Sequence, residues 1–174
     1  VEHFCEQKSE VYFIDIDIRS SNKLIKNIKK KGFKIPKFIE CNILDIKKLQ
    51  NIIKDIISKK GAIHCLINSA ANDDRHTTEQ VDEKYWENRM GINLKHYFFA
   101  AQAVVKGMKK IKSGSIVNLS SVSWMLGEGD KVVYETAKSA VVGLTRSFAQ
   151  EFGKYNIRTN SVIPGSIATE RQIK

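Results

Sequence analysis

The chain is predicted to be an α/β protein built on a parallel sheet, and three observations predict it. Strand-like and helical stretches alternate along the 174 residues, the order that a parallel sheet with crossover helices requires. The strand-like runs are short and rich in β-branched and aromatic residues, as in Val11-Tyr12-Phe13-Ile14-Asp15-Ile16 and Ser115-Ile116-Val117-Asn118-Leu119. The helical stretches are amphipathic: Leu24, Ile25 and Ile28, and then Ile52, Ile53, Ile56 and Ile57, alternate with lysines. The length suits a single domain, 1–174, with a sizeable core.

Taken in order, 1–7 reads as the end of a helix and 11–16 as a strand. A helix over 20–31 stops at Gly32, and 37–41 is the next strand. Asp45 opens a helix that runs to Lys60 and closes at Gly61. A strand over 62–67 leads into the polar loop Asn72-Asp73-Asp74-Arg75-His76. The stretch 82–112 reads as helical, in two pieces around Gly91. A strand at 115–119, a loop, a helix over 133–155 and a strand over 157–163 complete the series, ending in Pro164-Gly165.

Composition excludes several classes. No apolar run approaches the roughly 20 residues of a membrane span, and the first residues lack a signal-peptide pattern. Cys5, Cys41 and Cys65 show no metal-ligand spacing, so no metal site is expected. Cys41 and Cys65 lie in apolar runs and read as small buried hydrophobes in a reducing cytoplasm. The net charge of +10 comes largely from lysines crowded between 23 and 60. Their helical spacing and the lack of interleaved aromatics mark solvated helix faces, with no nucleic-acid partner expected.

The stretch Tyr134-Glu135-Thr136-Ala137-Lys138 carries chemistry. It sets a phenol and an ammonium on one face of a predicted helix. A phenol is a poor base near neutral pH, and a neighbouring cation is expected to lower its pKa. Such a pair can take a proton from an alcohol or return one to a carbonyl. Ser121 follows the 115–119 run, at the carboxyl end of a buried strand, where open α/β sheets bind ligands. Asn93 falls in the helical segment upstream.

Asn68-Ser69-Ala70-Ala71, Asn93, Ser121, Tyr134, Lys138 and Pro164-Gly165, in this order and spacing, resemble the short-chain dehydrogenase/reductase family over about 11–169. The resemblance implies a doubly wound, Rossmann-like sheet with helices on both faces. It also implies that a first strand with a glycine-rich turn and a C-terminal part lie outside this chain, so that the chain is an internal fragment. It assigns Tyr134 as general acid/base, Lys138 as its electrostatic partner and ribose ligand, Ser121 as the donor to the substrate oxygen, and Asn93 as holder of a relay water. For the cofactor it assigns Asp15 to the adenosine ribose, Asn42 and Ile43 to adenine, Asn68 to the turn beside that ribose, and Pro164, Gly165 and Thr169 to the nicotinamide. A carboxylate at Asp15 repels a 2′-phosphate, favouring NAD, while Arg19 nearby leaves NADP open. Capping of the following helix by Asp15 or Asp17 is the competing reading.

The loop 72–76, Trp124, Glu135 and Thr169-Glu170-Arg171-Gln172 look like bacterial aldose 1-dehydrogenases acting on xylose, arabinose or related sugars. Polar groups beside an indole suit a polyhydroxylated ligand, which makes Asp73, Arg75, Ser121, Trp124 and Glu135 candidate sugar contacts. A reductase of another carbonyl, such as a 3-oxoacyl thioester, is the alternative substrate class. Pairing of Arg75 with Asp73 or Asp74, or with a neighbouring subunit, is the alternative reading of the loop. The family implies a cytoplasmic homo-oligomer, a tetramer or dimer, assembled through the helices at 82–112 and 133–155. Ala100, Ala101, Val104, Ala140, Val141, Leu144 and Phe148 on those helices suit either an interface or the core.

Overall fold

A computed structural model describes residues 1–167. They fall into two compact units, 1–49 and 50 onward.

In the first unit, α1 (Glu2–Glu6) precedes β1 (Tyr12–Asp15), α2 (Ile18–Lys30) and β2 (Lys37–Glu40). The two strands pair in parallel, with Tyr12 opposite Lys37 and Asp15 opposite Glu40. Their carboxyl ends therefore lie at one edge. Asp17 caps α2 by accepting from the Ser20 backbone N–H at 2.9 Å and the Ser20 hydroxyl at 2.6 Å. Gly32 ends the segment at φ +71°, in the left-handed region that suits glycine. Cys5, Ile28 and Cys41 are buried, which bears out the reading of Cys41.

α3 (Ile46–Lys60) starts at Asp45, whose carboxylate accepts from the Lys48 N–H at 2.9 Å. The second unit then builds a three-stranded parallel sheet, in the order β3 (Cys65–Asn68), β4 (Gly114–Leu119), β5 (Ile157–Val162). Between β3 and β4 run α4 (Glu83–Met90), a π-helical turn Gly91–Lys95 and α5 (His96–Ile111). The expected break at Gly91 is thus a widened turn in a continuous helix, a feature frequent at functional sites. α6 (Ser123–Leu126) occupies part of the stretch expected to be loop, and α7 (Val132–Phe152) links it to β5. Tyr97, Ala101, Val104 and Met108 of α5, Ile116 of β4 and Ala137 and Val141 of α7 are all at most 1 % exposed. Ala100, Ala101, Val104, Val141 and Phe148 are therefore core, while Ala140 and Leu144 are half-buried.

Cys65 departs from expectation: it is exposed. Side chains alternate along a strand, so Cys65 shares a face with Ile67, which is also exposed, while Asn68 points to the buried side. Local hydrophobicity does not tell which face of a strand is covered. Among the described residues no helix is long and apolar enough to cross a membrane, and no cluster of side chains could hold a metal ion.

Candidate active site

The carboxyl ends of β3, β4 and β5 carry a buried polar network. Asn68 donates to the Asn118 side-chain carbonyl at 2.9 Å, and Asn118 donates in turn to the Thr145 hydroxyl at 3.0 Å. Ser120 donates to the Lys138 backbone carbonyl at 2.7 Å, fixing α7 against the end of β4. The backbone N–H groups of Ser120 and Val122 donate to the carbonyls of Val162 and Pro164, at 2.8 and 3.1 Å. Pro164 and the following Gly165 thereby lie beside Ser121.

Tyr134 and Lys138 face the same side of α7, with the ammonium 5.5 Å from the phenol ring centre. Lys138 is 1 % exposed. Its Nζ donates to the Leu119 carbonyl at 2.7 Å and the Tyr97 hydroxyl at 3.0 Å. Tyr97 is itself fully buried and donates to the same carbonyl at 3.0 Å. Burial pushes the Lys138 ammonium down to about 8 and pushes the Tyr97 phenol up, so Tyr97 stays neutral while it holds the cation. Ser121 is half-buried, shares a 2.9 Å hydrogen bond with the Ser123 hydroxyl, and opposes the rise in the Tyr134 pKa.

One expectation is corrected. Tyr134 is raised, not lowered: desolvation outweighs the help from Ser121, and Asp73 adds to the rise. The cation expected to lower it is turned toward Leu119 and Tyr97. Asp73, in turn, raises Lys138, so its carboxylate acts on both Tyr134 and Lys138.

Asn93 lies in the π-helical turn and is fully buried. Its amide grips Asn72 at both ends, accepting from the Asn72 N–H at 2.8 Å and donating to the Asn72 carbonyl at 2.9 Å. The side chain thus anchors the start of the polar loop. Farther along the loop, Asp74 pairs with Arg89 at 2.7 Å and Arg75 pairs with Asp130. The Arg75 guanidinium thus has a carboxylate partner beyond its own loop. Glu135, half-buried, accepts from the Glu128 N–H at 3.1 Å and ties down the turn before α7. Trp124 is half-buried in α6, and its indole N–H is buried with no hydrogen-bond partner among the described residues.

Asp15 ends β1, exposed, accepting from the Asp17 N–H at 2.9 Å. Capping of α2 is the work of Asp17, which leaves the outer face of Asp15 as an acceptor. Asn42 is exposed and Ile43 half-buried just beyond β2, and the Asn42 side-chain carbonyl accepts from the Leu44 N–H at 3.0 Å. Thr169, Glu170, Arg171 and Gln172 lie outside the described residues.

The parallel α/β fold is also what comparison with known proteins finds. The short chain dehydrogenase family matches residues 1–174. The chain belongs to this family: it is a short-chain dehydrogenase/reductase, with a Rossmann-like α/β fold and an oxidoreductase activity on CH–OH groups that uses a nicotinamide cofactor. It is 38 % identical to a probable galactose dehydrogenase of Rhizobium meliloti, over 99 % of this chain and 67 % of that protein. It is 39 % identical to a D-xylose 1-dehydrogenase of Caulobacter vibrioides, over 98 % of this chain and 67 % of that protein. A 3-oxoacyl-[acyl-carrier-protein] reductase of Thermotoga maritima is 31 % identical over 95 % of the chain and 67 % of that protein. The fold superposes on a putative short-chain dehydrogenase/reductase structure from Burkholderia xenovorans with a TM-score of 0.91, at 24 % identity, over 98 % of this chain and 68 % of that one. The chain spans about two thirds of the length of these curated relatives.

Each unit, taken by itself, carries a group whose chemistry suits part of a nicotinamide nucleotide. Lys138 has three N–H donors and uses two on protein oxygens, leaving a third for a sugar hydroxyl. Asp15 offers carboxylate oxygens that can accept from a diol.

Proposed function

We propose that the protein oxidises the anomeric carbon of an aldose sugar with NAD, giving a lactone, with Ser121, Tyr134, Lys138 and Asn93 as the site. The observation that carries the reading is the convergence of Ser121, Tyr134 and Lys138 with a carboxylate, Asp73, acting on both reactive groups. The likeness to a galactose and a xylose dehydrogenase supports the sugar. An acidic group beside the reacting centre suits neutral hydroxyls and repels an anionic acyl carrier.

When bound, the nicotinamide supplies the hydride-accepting carbon. Tyr134 takes the proton from the anomeric hydroxyl, and Ser121 donates to the same oxygen, holding it before and after transfer. Lys138, held by Leu119 and Tyr97, binds the ribose of the nicotinamide half with its third N–H. Asn93 positions a water that passes the proton on from Lys138. Asp15, Asn42 and Ile43 hold the adenosine half, Asn68 opens the turn beside its ribose, and Pro164, Gly165 and Thr169 frame the nicotinamide. The carboxylate at Asp15 selects NAD over NADP. Asp73 accepts from sugar hydroxyls and Trp124 covers an apolar sugar face. Arg75 and Glu135, already bonded within the protein, shape that pocket as much as they touch the sugar. The residues 1–174 serve as one nucleotide-binding domain of a cytoplasmic homo-oligomer, tetramer or dimer.

A panel of pentoses, hexoses and 3-oxoacyl thioesters, assayed with NAD(H) and NADP(H) on the full-length protein, tests the reading. The expected result is aldose oxidation with NAD as the preferred acceptor. Turnover confined to 3-oxoacyl substrates would replace the sugar reading with the reductase one.

A further inference from the structure

We propose that His76 is a positioning residue whose neutral imidazole bolts the polar loop 72–76 to the first turn of α7, the helix that presents Tyr134 and Lys138. The inference rests on the reading of Tyr134 as the acid/base group. α7 is 21 residues long, and Lys131 at its N-cap offers no side-chain cap, so its first N–H groups need partners from elsewhere. His76 supplies one. Its Nε2 accepts from the Val133 N–H at 3.3 Å, one residue before Tyr134. The imidazole is buried, and its own backbone N–H donates to the Asp130 carbonyl at 2.7 Å. The neighbouring Arg75–Asp130 ion pair spans the same two segments.

This geometry fixes the tautomer. With Nε2 accepting, the proton sits on Nδ1, which lies 3.1 Å from the Asp74 carbonyl and 2.9 Å from the Tyr85 hydroxyl. Tyr85 also meets the ring edge-on, 5.0 Å between centres. The charged groups around the ring are already paired: Asp74 with Arg89, Arg75 with Asp130, and Lys131 with Glu128. A second proton, on Nε2, would set donor against donor at Val133 and place a positive charge at the positive end of α7. The bolt therefore holds only while the ring is neutral.

The loop is thus tied at one end by Asn93 on Asn72 and at the other by His76 on Val133. Asp73 is carried between these ties, and its charge reaches Tyr134 and Lys138. Releasing His76 loosens the sugar-facing loop while leaving the strand ends and Lys138 in place. The cost falls on sugar binding and orientation, not on the nicotinamide nucleotide.

The test compares His76→Leu, His76→Gln and Tyr134→Phe with the wild type, as full-length protein, by aldose kinetics across pH and by NAD titration. His76→Leu is expected to raise the sugar KM and lower kcat/KM by about tenfold, the equivalent of one hydrogen bond, with NAD affinity unchanged. His76→Gln can accept from the Val133 N–H but cannot take up a proton. It is expected to restore most of the loss, with a sugar KM close to that of the wild type. A wild-type sugar KM in His76→Leu, or a sugar KM in His76→Gln as high as in His76→Leu, overturns the proposal. Should His76→Leu fail to fold, the sugar KM of His76→Gln decides alone, a rise of about tenfold overturning the proposal. Normal turnover in Tyr134→Phe would overturn the underlying reading of the site instead.

Discussion

The two ends of the three-stranded sheet are held together by different forces. At the amino end, packing and tight turns do the work. Gly114 starts β4 so close to Met108 that an added Cβ would sit 2.5 Å from the sulfur. Lys112 and Asn156 turn the chain in left-handed conformations, φ 50° and 59°, and the Asn156 amide donates to the Lys112 carbonyl at 3.1 Å. At the carboxyl end, Asn68, Asn118, Ser120 and Lys138 are at most 4 % exposed, and each is hydrogen-bonded. Burying so many polar groups is costly unless every one finds a partner. Turns and packing hold one end, whereas the other keeps buried polar groups around the side chains proposed to react.

The contrast can be broken most severely at Asn118, which joins Asn68 to Thr145. Asn118→Leu strands a buried donor on Asn68 and a buried acceptor on Thr145, at about 1–3 kcal/mol each. Denaturant titration should show a loss of this order, and turnover should fall with it because β4 carries Ser121 just beyond its end.

His96 sharpens the comparison through pH. It is 3 % exposed, its ring nitrogens buried beside the Gly91 and Ile92 backbone. Desolvation, with the Lys138 charge adding to it, outweighs the opposing backbone contacts of Gly91 and Ile92 and lowers its pKa from 6.5 to about 4. Between these values the unfolded chain binds a proton that the folded chain refuses, so stability falls as pH drops through the window, by at most about 3 kcal/mol. His96→Phe should flatten that part of the stability profile, whatever its effect at neutral pH. An unchanged slope would show that His96 is protonated normally in the folded protein.

The smallest effect is expected at the packing end. Gly114→Ala forces the Met108 side chain to move and should cost about 1–3 kcal/mol, at the low end if the thioether swings aside. The specific activity of the folded fraction should not change, as measured by matching active-site titre to turnover.

Much of this was legible in the sequence, for physical reasons that differ by residue. The period of the apolar pattern announced β4 and α7, and the four-residue spacing placed Tyr134 and Lys138 together. Asn118 left a signal that could have been read: it is a polar residue in the buried phase of β4, shared with Ile116 and Ser120. Tyr97 could not be found this way, because its hydroxyl meets Lys138 only through the packing of α5 on α7. The same holds for His76, whose partners Tyr85 and Val133 are distant in the chain. The direction of the Tyr134 shift was misjudged since spacing says which groups are near but not how much water is excluded or where the ammonium points.

The most direct test of the account is a pair of measurements on Tyr134→Phe in the full-length protein: NAD affinity by titration and kcat with the best aldose. The account predicts wild-type NAD affinity with turnover lowered by at least about a hundredfold, the scale of a lost general acid/base. A kcat equal to that of the wild type would contradict it.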